Sequence, residues 1–148
     1  SCFARETFAR MLADFDHELI TTTSMANIEI PIYRVFADGQ ELALFNAPVG
    51  ASACVAILED LIAFGMKRLV LFGTCGVLDE DIKETSIIIP TAALRDEGTS
   101  YHYQPASMEI AVNVGLQDFL VNFLEQRGIS YSLGKVWTTD GIFRETAD

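Results

Sequence analysis

The sequence predicts an α/β fold with a mixed central sheet flanked by helices. Three observations carry this. A strand ending near Phe45 is followed by a helical stretch and then by the apolar run 69–72, a strand–helix–strand crossover that makes the two strands parallel and the connection right-handed. The runs 69–72 and 86–89 are continuously apolar rather than alternating, as in strands covered on both faces. Leu116, Phe119, Leu120, Phe123 and Leu124 then recur at helical spacing, ahead of a last strand at about 131–137.

In chain order, Phe8, Met11, Leu12 and Phe15 share one helical face, so 5–15 reads as an amphipathic helix. Ile28, Ile30 and Ile32 alternate as in a strand, and Pro31 among them points to an edge or a bulge, because proline donates nothing to a ladder. Asp38-Gly39, between that strand and the run 42–45, is a hairpin signal. The loop NAPVGAS opens a helix with Val55, Leu58, Leu61 and Ile62 on its apolar side, ending at Gly65. Lys67 and Arg68 lead into the buried strand 69–72, and the chain then turns through Gly73, Thr74, Cys75 and Gly76. The strand 86–89 stops at Pro90, RDEGTSYHYQP is a polar loop, and Gly128 caps the helix of 116–124. Trp137 and the aromatic face of that helix read as core, and the acidic run DEDIKE (79–84) as a solvated loop. With no repeat, low-complexity tract or linker, 1–148 is expected to be a single domain.

Composition narrows the function. Of 148 residues, 21 are acidic and 10 basic, a net charge of −11. That balance argues against nucleic acid, which needs a basic footprint, and against an anionic membrane surface. No run approaches the ~20 apolar residues of a membrane span. Cys2, Cys54 and Cys75 are odd in number and form no CxxC pair, and the start SCFARETFARML lacks an apolar signal core, so a cytoplasmic, reducing location is expected. His17 and His102 stand far apart, and no metal site is expected. The chain does not begin with Met, which suggests processing or a piece of something longer.

In open α/β sheets, ligands bind beyond the carboxyl ends of the strands. Three loops leave such ends: NAPVGAS, GTCG and TTDGIFRET. Gly50 lets backbone approach an anion beside a helix start, Gly73 and Gly76 flank the hydroxyl of Thr74 and the thiol of Cys75, and Thr139, Asp140, Phe143 and Arg144 add polar, charged and aromatic groups. Gly-rich turns after strands are mostly just turns; three of them at strand ends point to a shared pocket.

These residues also carry a resemblance. VGASACVAILEDLIAFGMKRLVLFGTCGVL resembles the phosphate loop, helix and core strand of the uridine and purine nucleoside phosphorylase family, and IIIPTAALRDEGTSYHY and VWTTDGIFRET resemble its later segments, in the same order. Residues 27–72 lie on the uridine phosphorylase pattern without a gap, and the resemblance covers nearly the whole chain. It implies cleavage of a nucleoside's N-glycosidic bond with inorganic phosphate as co-substrate, giving free base and ribose 1-phosphate, with no other cofactor. It also implies a homo-oligomer. By the same resemblance Arg5, in SCFAR, matches the family's phosphate-holding Arg, Gly50 a glycine lining the phosphate and ribose site, and Thr74 a threonine facing both. Thr74, Cys75, Gly76, Thr139, Asp140, Ile142, Phe143 and Arg144 would line the ribose and base pocket.

The sequence departs from the family at several of these places. Ser1 replaces a glycine, Ser52-Ala53 replaces Pro-Ser, and Leu71 and Ile28 stand where two further phosphate arginines belong. Ile142 takes the place of a base-stacking Phe, with Phe143 beside it. One phosphate arginine in place of three weakens the hold on a dianion and raises hydrolysis as an alternative to phosphorolysis. Asp140 reads as a loop-fixing residue, His102 as solvated or interfacial, and Cys75 as a small turn residue. The ribose-binding Glu-Met-Glu segment and the base-protonating Asp of the family are expected beyond residue 148, and its first strand before residue 1. A non-catalytic nucleoside-binding module is the third reading.

Overall fold

The computed structural model describes residues 4–82 and 87–145. It comprises two compact units, Ser1–Cys75 and Gly76–Asp148. The α/β class is as the sequence predicts: helices accompany two three-stranded sheets, one antiparallel and one mixed.

In the first unit, helix α1 (Arg5–Asp14) precedes strands β1 (Asp16–Met25), β2 (Ile28–Ala37) and β3 (Gln40–Phe45), and helix α2 (Ala51–Ala63) follows. The strands lie in the order β1-β2-β3, and both pairs are antiparallel. The Asp-Gly signal is realised: Ala37 pairs with Gln40, and Asp38 and Gly39 both have positive φ (49° and 73°), as a tight two-residue hairpin turn requires. The core of the unit joins Ile30, Ile32, Phe45 and Ala47 to Cys54, Ile57 and Leu61 of α2. The buried side of α2 is therefore centred on Ile57, at 1% exposure, rather than on Val55 and Ile62; Ile62 is 59% exposed. Small Ala53 and Cys54 lie on this buried side, where they leave room for close packing.

Two expectations are corrected here. Residues 66–82 carry no strand beyond a single bridge at Phe72, and Val70, Leu71 and Phe72 are exposed. A strand covered on both faces needs ladders along its edges, and among the described residues this run forms a single bridge and no ladder. Leu69 alone of the run packs against the core. The crossover with parallel strands occurs instead in the second unit.

There β4 (Ile87–Asp96), β5 (Glu109–Ala111) and β6 (Tyr131–Thr139) form a sheet in the order β5-β4-β6, with helix α3 (Val114–Glu125) between β5 and β6 in the chain. β4 pairs antiparallel with β5 and parallel with β6. Short 3₁₀ turns occupy Thr99–His102 and Ile142–Arg144. Ser86 lies outside the described residues, and β4 runs through Pro90 rather than stopping there. The reason is local. Pro90 lies opposite Gly134 of β6, while pairing with β5 begins only at Ala92. Pro31 is placed in the same way, opposite Thr22 of β1 where β3 has not yet begun to pair. Each proline sits in a middle strand at a point with one neighbour, and after Pro90 the ladder with β6 shifts register before Ala92, the kind of irregularity at which a strand tolerates proline.

Helix α3 is capped by Asn113, whose side chain accepts from the Leu116 N–H at 3.0 Å. Past its end Gly128 takes a left-handed conformation (φ 64°), and the Ile129 N–H returns to the Leu124 carbonyl at 3.0 Å. Leu124 is the buried residue of this helix; Phe119 and Phe123, expected as core, are 60% and 40% exposed. They stack on each other with centroids 6.4 Å apart, and the Arg127 guanidinium lies 3.7 Å from the Phe123 centroid, which shelters their faces without a core. Trp137 is half-buried, and its indole N–H donates to Asp96 Oδ2 at 3.2 Å.

Candidate functional site

The parallel strands β4 and β6 end side by side at Asp96 and Thr139, the place where α/β sheets bind ligands. The loops leaving them are tied together. The Asp140 N–H donates to the Asp96 carbonyl and Asp140 Oδ2 accepts from the Gly98 N–H, both at 3.0 Å. The Gly141 N–H donates to Thr139 Oγ1, also at 3.0 Å. Asp140 thus fixes the loop through both its backbone and its side chain. Beyond it, Ile142, Phe143 and Arg144 form an exposed turn, with Phe143 95% exposed.

Below this edge lies a charged cluster that hydropathy patterning does not reveal. Arg95 and Glu97 are buried, at 7% and 8% exposure. The Arg95 guanidinium donates to Ser100 Oγ, to the Pro105 carbonyl and to Ser107 Oγ, each at 2.8 Å, and to the Gln104 carbonyl at 3.4 Å. The Tyr101 ring covers it, with its centroid 4.1 Å from Cζ. The Glu97 carboxylate accepts from the Ser100 N–H at 2.9 Å and from the Ser100 hydroxyl. Burial pushes the Glu97 carboxyl upward, but the hydrogen bonds from the Ser100 hydroxyl and the Ser100 and Thr99 N–H groups, with the nearby Arg95 charge, outweigh it and hold the group below the usual range. So the stretch 97–107 is an ordered loop built around a buried guanidinium. The only hint in the sequence is an arginine close ahead of Glu-Gly-Thr-Ser.

The sequence-predicted residues fall on both units. In the first, Arg5 opens α1 and is exposed; Gly50 precedes α2 with φ 101°, a conformation that favours glycine. No acidic side chain stands in the first turn of α2, so its free N–H groups are not countered by a local negative charge. Thr74 and Cys75 lie exposed in the irregular segment after Phe72. No hydrogen bond, ion pair or ring contact joins Arg5, Gly50 and Thr74. In the second unit Gly76 is exposed in the same irregular segment, and Thr139, Asp140, Ile142, Phe143 and Arg144 are brought together beyond β6. His102 is exposed at the end of its 3₁₀ turn. The thiols differ: Cys54 is buried, and burial pushes it up and away from reactivity, while Cys75 is exposed. Among the described residues no group of three or more His, Cys, Asp or Glu is placed to hold a metal, and no helix is long and apolar enough to cross a membrane.

This arrangement has counterparts. A family profile described as the phosphorylase superfamily matches residues 7–148. The chain belongs to that superfamily. It is 24% identical to a guanosine phosphorylase of Halorubrum lacusprofundi over 131 residues, 88% of this chain and 53% of that one. It is 24% identical to the uridine phosphorylase of Haemophilus influenzae over 126 residues, 85% of this chain and 48% of that one. Among solved structures, uridine phosphorylase from Vibrio fischeri superposes with a TM-score of 0.81 at 22% identity, covering 97% of this chain and 59% of that one. Purine nucleoside phosphorylase from Toxoplasma gondii, in complex with immucillin-H, gives a TM-score of 0.78 at 21% identity, covering 96% and 55%. The structural likeness establishes a nucleoside phosphorylase fold. This phosphorylase superfamily chain spans about half the length of the curated relatives it matches.

Proposed function

We propose that this protein takes part in phosphorolysis of a nucleoside, breaking the N-glycosidic bond to give free base and ribose 1-phosphate. One observation carries this reading: the match to guanosine and uridine phosphorylases extends across more than four-fifths of this chain. In this reading Arg5, Gly50 and Thr74 of the first unit serve phosphate, Thr74 and Cys75 of that unit also serve ribose and base, and Gly76, Thr139, Asp140, Ile142, Phe143 and Arg144 of the second unit serve ribose and base. Positive charge develops on the ribose as the bond breaks, and negative charge leaves with the base. Phosphate below the anomeric carbon answers the first, and hydrogen-bond donors near the base answer the second. A cytoplasmic homo-oligomer that needs no cofactor besides phosphate belongs to the same proposal.

A second reading, hydrolysis, is favoured by one feature. Leu71 and Ile28 stand where the family pattern has arginines, and both are 42% exposed apolar side chains. Base release from uridine and guanosine, followed in the presence and absence of phosphate, separates the readings. Phosphorolysis stops without phosphate; hydrolysis continues. Thermal stabilisation by nucleoside with no base released in either buffer overturns both and leaves a binding module.

A further inference from the structure

The base pocket proposed above depends on the short segment 139–144, in which Asp140 and Ile142, Phe143 and Arg144 are exposed. What holds it is a chain of hydrogen bonds leading back to two buried charged residues, Arg95 and Glu97. The Asp140 carboxylate accepts from the Gly98 N–H, and Gly98 is flanked by Glu97 and by the 3₁₀ turn that the Glu97 carboxylate caps at Ser100. Ser100 in turn accepts from Arg95 Nε, and the same guanidinium fixes the far side of the loop through Pro105 and Ser107. Tyr101 closes the circuit, its hydroxyl donating to the Arg95 carbonyl at 3.1 Å.

We propose that Arg95 and Glu97 are positioning residues: through the Gly98–Asp140 hydrogen bond they set the conformation of residues 139–144. As a statement about binding it rests on the nucleoside reading; as a statement about the turn it does not. A planar guanidinium offers five N–H donors in a fixed fork, and this one engages partners at both ends of the 97–107 loop. A lysine supplies the charge without the fork. Burial makes the cluster all-or-none, because a desolvated charge that loses its partners is costly to keep.

The test uses the whole chain carrying Arg95→Lys, Glu97→Gln or Asp140→Ala, with amide hydrogen exchange as the first readout. Arg95→Lys and Glu97→Gln are expected to speed exchange at Gly98 and across 140–144 by about tenfold, the effect of losing one charge-assisted hydrogen bond, while the β4 amides paired with β6 keep their protection. Wild-type exchange across 140–144 in both variants overturns the proposal. If these two variants lose protection throughout the sheet, Asp140→Ala decides, since it cuts the link and leaves the Arg95 cluster whole. Faster exchange at Gly98 with Ser100 unchanged then supports the proposal, and an unchanged Gly98 overturns it. The second readout is uridine and guanosine titration followed by Trp137, the single tryptophan, whose indole is bonded to Asp96. About a tenfold weaker Kd in Arg95→Lys is expected from the same lost bond. No titration by the wild type with either nucleoside defeats the nucleoside reading, while the exchange data still decide the positioning role.

Discussion

Thr23 donates its hydroxyl to Asp60 Oδ2 at 2.9 Å, joining β1 to α2. Thr23 is the one buried residue of β1, so this bond stands where a largely exposed strand meets the core helix. Thr23→Val keeps the shape and removes the donor. The Asp60 carboxylate is exposed and regains water, so the expected loss is about 1 kcal/mol rather than a full desolvation penalty. Urea unfolding should show a lower midpoint with an unchanged slope. A double-mutant cycle with Asp60→Ala measures the coupling directly, and zero coupling would mean that Thr23 acts by packing alone.

Ile57, at 1% exposure, sits where α2 meets Ile30, Ile32 and Phe45. Ile57→Val is expected to cost about 1 kcal/mol and Ile57→Ala about 3 kcal/mol, the second including the cavity left behind. Equal costs for the two would show that the core closes around the smaller side chain. Ile62→Ala, on the exposed side of the same helix, is expected to change stability by less than about 0.5 kcal/mol.

Glu97 makes stability depend on pH in a definite direction. Its carboxyl is held below the ordinary value of 4.5 in the folded chain. Above pH 4.5 the group is ionised in both states and its contribution is fully present. As pH falls from there through the lower folded value, the unfolded chain takes up the proton first and the contribution is lost. Glu97→Gln should therefore flatten the fall in melting temperature just below pH 4.5, and parallel curves for variant and wild type would contradict this.

The parts of the fold that the sequence announces are those where local chemistry decides. Asp38-Gly39 adopts the two positive φ values of its turn, and Gly128 takes the left-handed conformation past the end of α3. β1 carries no such mark: all but Thr23 and Met25 of its residues are exposed, so no alternating apolar pattern exists to be seen. The run 69–72 has the composition of a covered strand, but a strand is made by its neighbours, and composition does not supply them. Pro31 and Pro90 look like strand breakers until the staggered pairing of β3 and β5 is known. In the candidate site, Asp140 is readable as a loop-fixing residue. The buried Arg95–Glu97 cluster is not, because charged residues in a polar stretch look the same whether solvated or enclosed.

Arg5 separates phosphorolysis from hydrolysis most sharply. It is exposed at the first residue of α1, so Arg5→Met is expected to leave folding intact. If the guanidinium holds phosphate, its loss should raise the KM for phosphate by about tenfold to a hundredfold with little change in the KM for nucleoside, since a charge-assisted pair is worth about 1.5–3 kcal/mol. If water is the attacking group, base release without phosphate should be unaffected by the same change. Leu71→Arg tests the converse. Leu71 is 42% exposed, which leaves room for a longer side chain, and an arginine there supplies the group that the sequence resemblance implies at this place. A lower phosphate KM in Leu71→Arg would mean that the anion site lies where the sequence resemblance implies but is weakened. An unchanged KM beside a large Arg5→Met effect would mean that phosphate is held here by a different set of groups.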